Sequence, residues 1–189
     1  MFHELPANKK TARRLIRDAR RARRASAGDA QWREYGEALG LGLAQWLNHR
    51  PVPQRAAVYE ALPTEPPTHG IRAALVSLGV RLIVPTLLVD NDLSWHDPDS
   101  GADLGIDAIA AADLILVPGL AVGRTDGIRL GQGGGSYDRA LGRKQPGTPV
   151  LAVLFDDELV ENVPSEPHDC RVDAVLTPSG GVAELPCTV

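Results

Sequence analysis

A chain of 189 residues, 43% apolar with a net charge of -4, is long enough to bury a sizeable core in one domain. It lacks the overall positive charge that would draw it to nucleic acid or anionic lipid. No apolar run approaches the roughly 20 residues needed to cross a bilayer, and the opening residues lack the apolar core of a secretory signal. Cys170 and Cys187 make neither a disulfide framework nor a zinc spacing. A reducing, cytoplasmic compartment is therefore expected.

Residues 9–24 are helical by period. Ala12, Leu15, Ile16, Ala19 and Ala22 repeat at i, i+3, i+4, while Lys10, Arg14, Arg17 and Arg21 form a stripe on the opposite face. A second helix is expected over 30–48, ended by the His-Arg-Pro-Val-Pro stretch at 49–53. Strands and helices then alternate. Residues 55–62 read as a strand, 68–79 as a helix, and 80–88 as a strand that Pro85 interrupts. The Asp-rich segment 90–103 reads as a loop and 106–112 as a short helix. Residues 113–122 read as a buried strand ending at Pro118-Gly119, 149–155 as another strand, 156–163 as a helical turn and 173–178 as the last strand. Continuous Val/Ile/Leu strands separated by helices imply an α/β fold. The expected architecture is a single three-layer domain over 1–189, its sheet mostly parallel and doubly wound, with a basic helix at the N-terminus.

The chemistry concentrates in Ile128–Leu141, which carries Gly131, Gly133, Gly134 and Gly135 between Arg129 and Asp138. Glycines let main-chain N–H groups approach a ligand, and a helix starting behind them adds partial positive charge. The plainer reading is a surface loop before a helix capped by Ser136; Arg129 and Asp138 are not needed by such a loop. No Gly-Lys-Ser/Thr follows, so this is not a Walker loop. As a dinucleotide fingerprint it is poor, though Asp156 and Asp157 stand where a ribose-binding carboxylate would be. Asp138 would repel a phosphate bound to the same N–H groups. A magnesium ion between them removes that conflict, which points to a metal–nucleotide site.

At these residues the chain resembles the 5-formyltetrahydrofolate cyclo-ligase family, also called methenyltetrahydrofolate synthetase. "VPGLAVGRTDGIRLGQGGGSYDRAL" is similar to that family's signature, with Ser136 in place of the first tyrosine of a Tyr-Tyr-Asp unit. The likeness extends from about residue 9 to 178. It takes in a Lys-x-x-x-Arg helix matched by Lys10 and Arg14, a Glu-x-x-Thr turn matched by Glu65 and Thr68, and Asp169 ahead of the last strand. The resemblance implies ATP- and magnesium-dependent closure of 5-formyltetrahydrofolate to 5,10-methenyltetrahydrofolate. It implies ATP contacts from Lys10, Arg14 and Arg129, Leu130, Gly131, Gln132, Gly133, Gly134, Gly135, Ser136 and Tyr137. Asp138 and Asp169 would hold magnesium. Glu60, Glu65 and the main chain of Gln132 to Ser136 would contact the folate. The expected partners are small molecules, with no nucleic acid and no membrane, and the expected state is a monomer.

Other signals are weaker. The basic helix also reads as a solvated face or as a nucleic-acid surface using Arg17 and Arg21. Glu65 and the His168-Asp169 pair also read as ordinary surface-loop residues. His3, His49, His69 and His96 are scattered and suggest no ligand set. Trp95 reads either as a core anchor or as a platform for a flat pterin ring.

Overall fold

The computed structural model describes residues 4–166 and 169–186; His3, His168 and Cys187 lie outside the described residues. An eight-stranded sheet in the order β11-β10-β8-β5-β1-β2-β3-β4 forms its centre. Strands β1 (Arg55–Val58), β2 (Arg81–Leu87), β5 (Leu114–Pro118), β8 (Val150–Val153) and β10 (Ala174–Thr177) run parallel to one another. Helices α2 (Asp29–Leu47) and α3 (His69–Ser77) cover one face. A 3₁₀ helix (Ile106–Ala111) and α4 (Ser136–Leu141) cover the other.

Alternation along each strand produces this layering. Ala56 and Val58, Leu114 and Leu116, Leu151 and Val153, and Ala174 and Leu176 point to the α2/α3 side. Ala57, Ile115, Val117, Val150, Ala152 and Val175 point to the opposite side. A sheet apolar on both faces must be covered on both, which is why the strands read as unbroken aliphatic runs. Helices α2 and α3 approach closely because glycines face each other: a Cβ at Gly70 would lie 1.9 Å from the Gly36 carbonyl oxygen, and one at Gly40 2.4 Å from that of Gly70.

The alternation of strands and helices holds, and four local expectations fail. The Asp-rich segment is a hairpin, with β3 (Leu93–His96) and β4 (Asp103–Gly105) extending the sheet antiparallel. Its aspartates turn the chain: Asp97 accepts the N–H groups of Asp99 and Ser100. Trp95, within the hairpin, is buried in the core, the first of its two expected readings. Pro85 does not interrupt β2, because it falls beyond Ile83, the last residue paired with β1. Residues 156–163 form the short strand β9 (Leu159–Val160), not a helical turn. It joins β6 (Ala121–Gly123) and β7 (Arg129–Leu130) in a second, three-stranded sheet. Beyond β10 the chain returns as β11 (Gly181–Glu184), antiparallel to it, so β10 is not the last strand.

Helix α1 (Lys9–Ser26) docks on this small sheet. Ala12 and Ile16 pack against Leu120, Ala121, Leu130, Val160 and Val163. The side chain of Asn8 caps the helix by accepting the Thr11 N–H at 3.1 Å. At its far end Arg20 is 1% exposed and donates Nε and Nη2 to the two oxygens of Glu158, itself 0% exposed, at 2.8 and 2.7 Å. Arg20 Nη2 also donates to the Gly119 carbonyl at 2.6 Å, and Glu158 accepts the Phe155 N–H at 2.9 Å. Burial pushes the Glu158 carboxyl up, against the downward pull of the guanidinium. Removing one partner of such a pair leaves a buried charge uncompensated. Glu158→Gln is therefore expected to lower the unfolding free energy by about 3–5 kcal/mol, while Arg20→Met/Glu158→Gln recovers most of it. Urea denaturation of the single and double variants checks this; a single variant as stable as the parent would contradict it.

Candidate active site

A cavity of about 1320 Å³ opens at the carboxyl ends of the parallel strands, the edge where open α/β sheets bind ligands. Gly131 through Asp138 form one wall, Lys9, Lys10 and Arg13 of α1 another, and Glu60 and Glu65 a third; Glu166 and Asp169 lie at its border.

The glycine turn links β7 to α4. Gly133 and Gly135 have φ of 108° and 70°, a region that penalises any Cβ. Gly135 is the N-cap of α4, and no side chain caps it. Ser136 is the first helical residue rather than the cap, so its hydroxyl borders the cavity instead of closing the helix. A Cβ at Gly131 would sit 2.8 Å from Nη1 of Arg129, so this glycine makes room for a guanidinium.

Because the turn has almost no side chains, other elements hold it. Arg13 donates Nε to the Gly131 carbonyl at 2.9 Å. Arg17 donates Nη2 to the Gln132 carbonyl at 2.7 Å and Nε to the Gln132 side-chain oxygen at 2.9 Å. Arg129, 3% exposed, donates Nη1 to the Pro118 carbonyl at 3.1 Å and Nη2 to Asp138 Oδ1 at 2.8 Å. Asp138 also accepts the Cys170 N–H at 3.4 Å. Burial and the Asp138 carboxylate push the Cys170 thiol up, which keeps it protonated and weakly nucleophilic near neutral pH. The Arg129 guanidinium lies 5.8 Å from the centre of the Tyr137 ring, and burial pushes that phenol far above its ordinary range. Glu65 is 3% exposed and accepts the Leu62 N–H at 3.0 Å and the Gln132 side-chain NH2 at 3.1 Å.

Most of the residues expected from the sequence converge here, and two do not. Leu130 points away from the cavity into the cluster under α1, with its carbonyl accepting the Leu120 N–H at 2.8 Å. Arg14 is exposed and does not line the cavity. The Lys-x-x-x-Arg pair that faces inward is Lys9 and Arg13, one residue earlier, since one residue turns a helix by about 100°. Lys10 lines the rim and is exposed. Lys9 bridges Glu166 and Asp169 at 2.7 and 2.6 Å, contacts that hold its ammonium group in the charged form despite partial desolvation. Glu60 borders the cavity and lies 3.5 Å from Arg72. The dinucleotide reading loses its carboxylates: Asp156 accepts the N–H and hydroxyl of Ser179, and Asp157 pairs with Arg23 at 2.6 Å. Arg17 is turned onto Gln132 and Arg21 pairs with Asp18, so neither stands as an unpaired cation for a nucleic-acid backbone.

Asp138, on the glycine-turn wall, and Asp169, at the border, are carboxylates of the kind that give a magnesium ion one or two oxygen donors when phosphate and water supply the rest. No group of three or more His, Cys, Asp or Glu suited to a metal occurs among the described residues. The donor set thus fits an ion carried by phosphate better than a dedicated protein cage. No helix among the described residues is long and apolar enough to cross a membrane.

Known proteins share this arrangement of sequence and fold. Residues 8–178 match the family model for the 5-formyltetrahydrofolate cyclo-ligase family. A 5-formyltetrahydrofolate cyclo-ligase of Mycolicibacterium smegmatis is 34% identical over 177 residues, covering 81% of this chain and 91% of its own. The Escherichia coli (strain K12) protein of that name is 37% identical over 93 residues, 49% of this chain and 50% of its own. A solved 5,10-methenyltetrahydrofolate synthetase from Mycoplasma pneumoniae has the same fold, with a TM-score of 0.71 over 86% of this chain and 96% of that one at 19% identity. Since the match extends from the basic helix through the glycine turn to the last parallel strand, the chain is an enzyme that belongs to the 5-formyltetrahydrofolate cyclo-ligase family.

Proposed function

We propose that this enzyme uses ATP and magnesium to close 5-formyltetrahydrofolate to 5,10-methenyltetrahydrofolate, releasing ADP and phosphate. The whole chain acts as one domain and as a monomer in the cytoplasm, on small molecules alone. The observation that carries the reading is a single cavity in which a glycine turn and basic side chains face a buried carboxylate, Glu65. The first half suits a triphosphate; the second suits a heterocycle rich in N–H donors.

The formyl group on N5 is weakly electrophilic and its oxygen is a poor leaving group. Transfer of the γ-phosphoryl group to that oxygen breaks the γ-phosphate's bond to ADP and leaves a phosphorylated, iminium-like carbon. N10 attacks this carbon and loses its proton, the carbon–oxygen bond breaks and phosphate departs. Such a reaction needs alignment and charge neutralisation more than a covalent nucleophile. The N–H groups of residues 133–135 and the side chains of Arg13, Lys9 and Lys10 bind and orient the phosphates. Arg129 anchors Asp138, and Asp138 with Asp169 would hold magnesium, which neutralises phosphate charge when bound. Glu65 and Glu60 orient the pterin through its N–H groups, and the phenol of the half-buried Tyr137 stays neutral beside them.

Two measurements test this. Protein, 5-formyltetrahydrofolate, ATP and magnesium together are expected to give the long-wavelength absorbance of the methenyl product, and omission of ATP abolishes it. A folded protein giving no such signal, or tight NADH binding with no effect of ATP on melting, would contradict the reading. Asp138→Asn is expected to raise the magnesium concentration for half-maximal rate about tenfold or more. It removes the charge partner of Arg129, so stability falls by about 1–3 kcal/mol while the chain still folds. An unchanged metal requirement would reject the role given to Asp138.

A further inference from the structure

Glu65 is a buried carboxylate with no Lys or Arg nitrogen within 4 Å among the described residues. Among the described residues its two oxygens accept the Leu62 N–H and the Gln132 carboxamide. The same carboxamide receives the Arg17 guanidinium on its oxygen. Chemistry fixes this order. Arg offers donors only, an ionised carboxylate offers acceptors only, and an amide between them must turn its oxygen to the one and its NH2 to the other. A flipped amide would set NH2 against guanidinium and oxygen against carboxylate. Arg17 adds a second bond to the Gln132 main-chain carbonyl, so the side chain and backbone of Gln132 are fixed together. On the far side the Tyr59 hydroxyl donates to the Pro66 carbonyl at 2.8 Å, which holds the loop that carries Glu65.

We propose that Arg17 is a positioning residue for the folate half of the site: by locking the Gln132 carboxamide it aims the buried Glu65 carboxylate at the incoming pterin. It rests on the function proposed above. The guanidinium meets the glycine turn at the carbonyl next to the one held by Arg13. Arg13 thereby serves the phosphate side, and Arg17 the carboxylate side, of one cavity.

The test compares Arg17→Met, Arg17→Lys and Gln132→Met with the parent enzyme. Titration calorimetry gives Kd for 5-formyltetrahydrofolate and for MgATP separately, and steady-state assays give KM for each. Arg17→Met is expected to weaken the folate roughly tenfold and to leave MgATP within about twofold, at an unchanged urea midpoint. Arg17→Lys keeps the charge but cannot reach both oxygens with one planar fork, so it is expected to rescue little. Arg17→Met/Gln132→Met is expected to be no worse than Gln132→Met, as two residues acting through one path should be. Loss of MgATP affinity with the folate unaffected would assign Arg17 to phosphate and overturn the proposal. Unchanged affinities would overturn it, as would equal loss of both with a lower midpoint, the mark of a merely structural role. If Arg17→Met does not fold, Gln132→Met alone decides: full folate affinity there refutes the relay. Failure of the parent enzyme to bind or turn over the folate would instead remove the proposed function itself.

Discussion

A turn stripped of side chains cannot hold its own shape, and the rest of this molecule is arranged around that constraint. Glycines at 131 and 133–135 free main-chain N–H groups for a ligand. They also leave the segment with many accessible conformations. Helix α1 supplies what the turn lacks. Arg13, Arg17 and Arg20 follow one another at helical spacing and donate to the carbonyls of Gly131, Gln132 and Gly119. The Arg20–Glu158 pair at the far end holds the helix in register, because a guanidinium bonded bidentately in a dry interior tolerates little displacement.

Two cations of the cavity are already matched to carboxylates. Arg129 faces Asp138, and Lys9 faces Asp169 and Glu166. Arg129 and Lys9 thus lie beside carboxylates, so a triphosphate arriving with a divalent ion can exchange partners with them rather than meet bare charge. Glu65 differs: it is buried and held by neutral donors. That contrast divides the cavity into a half where net charge is managed and a half where hydrogen-bond direction is managed.

Much of this was legible in the sequence, for physical reasons. The aliphatic strands and α1, α2 and α3 show themselves by period, and the glycine turn by composition and flank. The β3–β4 hairpin is hidden because its aspartates, which make the turn, look like solvated loop. Strand β9 is hidden because two residues carry no period. The choice between Lys10/Arg14 and Lys9/Arg13 is a rotation of one residue, and a helix basic on several faces does not state which faces inward. Arg20 and Glu158 stand 138 positions apart, and nothing local to either marks it as half of a pair. Leu130 lies inside a motif whose neighbours line the cavity, yet strand alternation turns it to the core.

A crystal structure with a non-hydrolysable MgATP analogue and 5-formyltetrahydrofolate would examine the two-halved cavity most directly. Triphosphate oxygens are expected on the N–H groups of residues 133–135 and beside Arg13, with the pterin's N–H edge on Glu65. A nucleotide bound elsewhere, or a pterin seated away from Glu65 with the Gln132 carboxamide turned around, would contradict it.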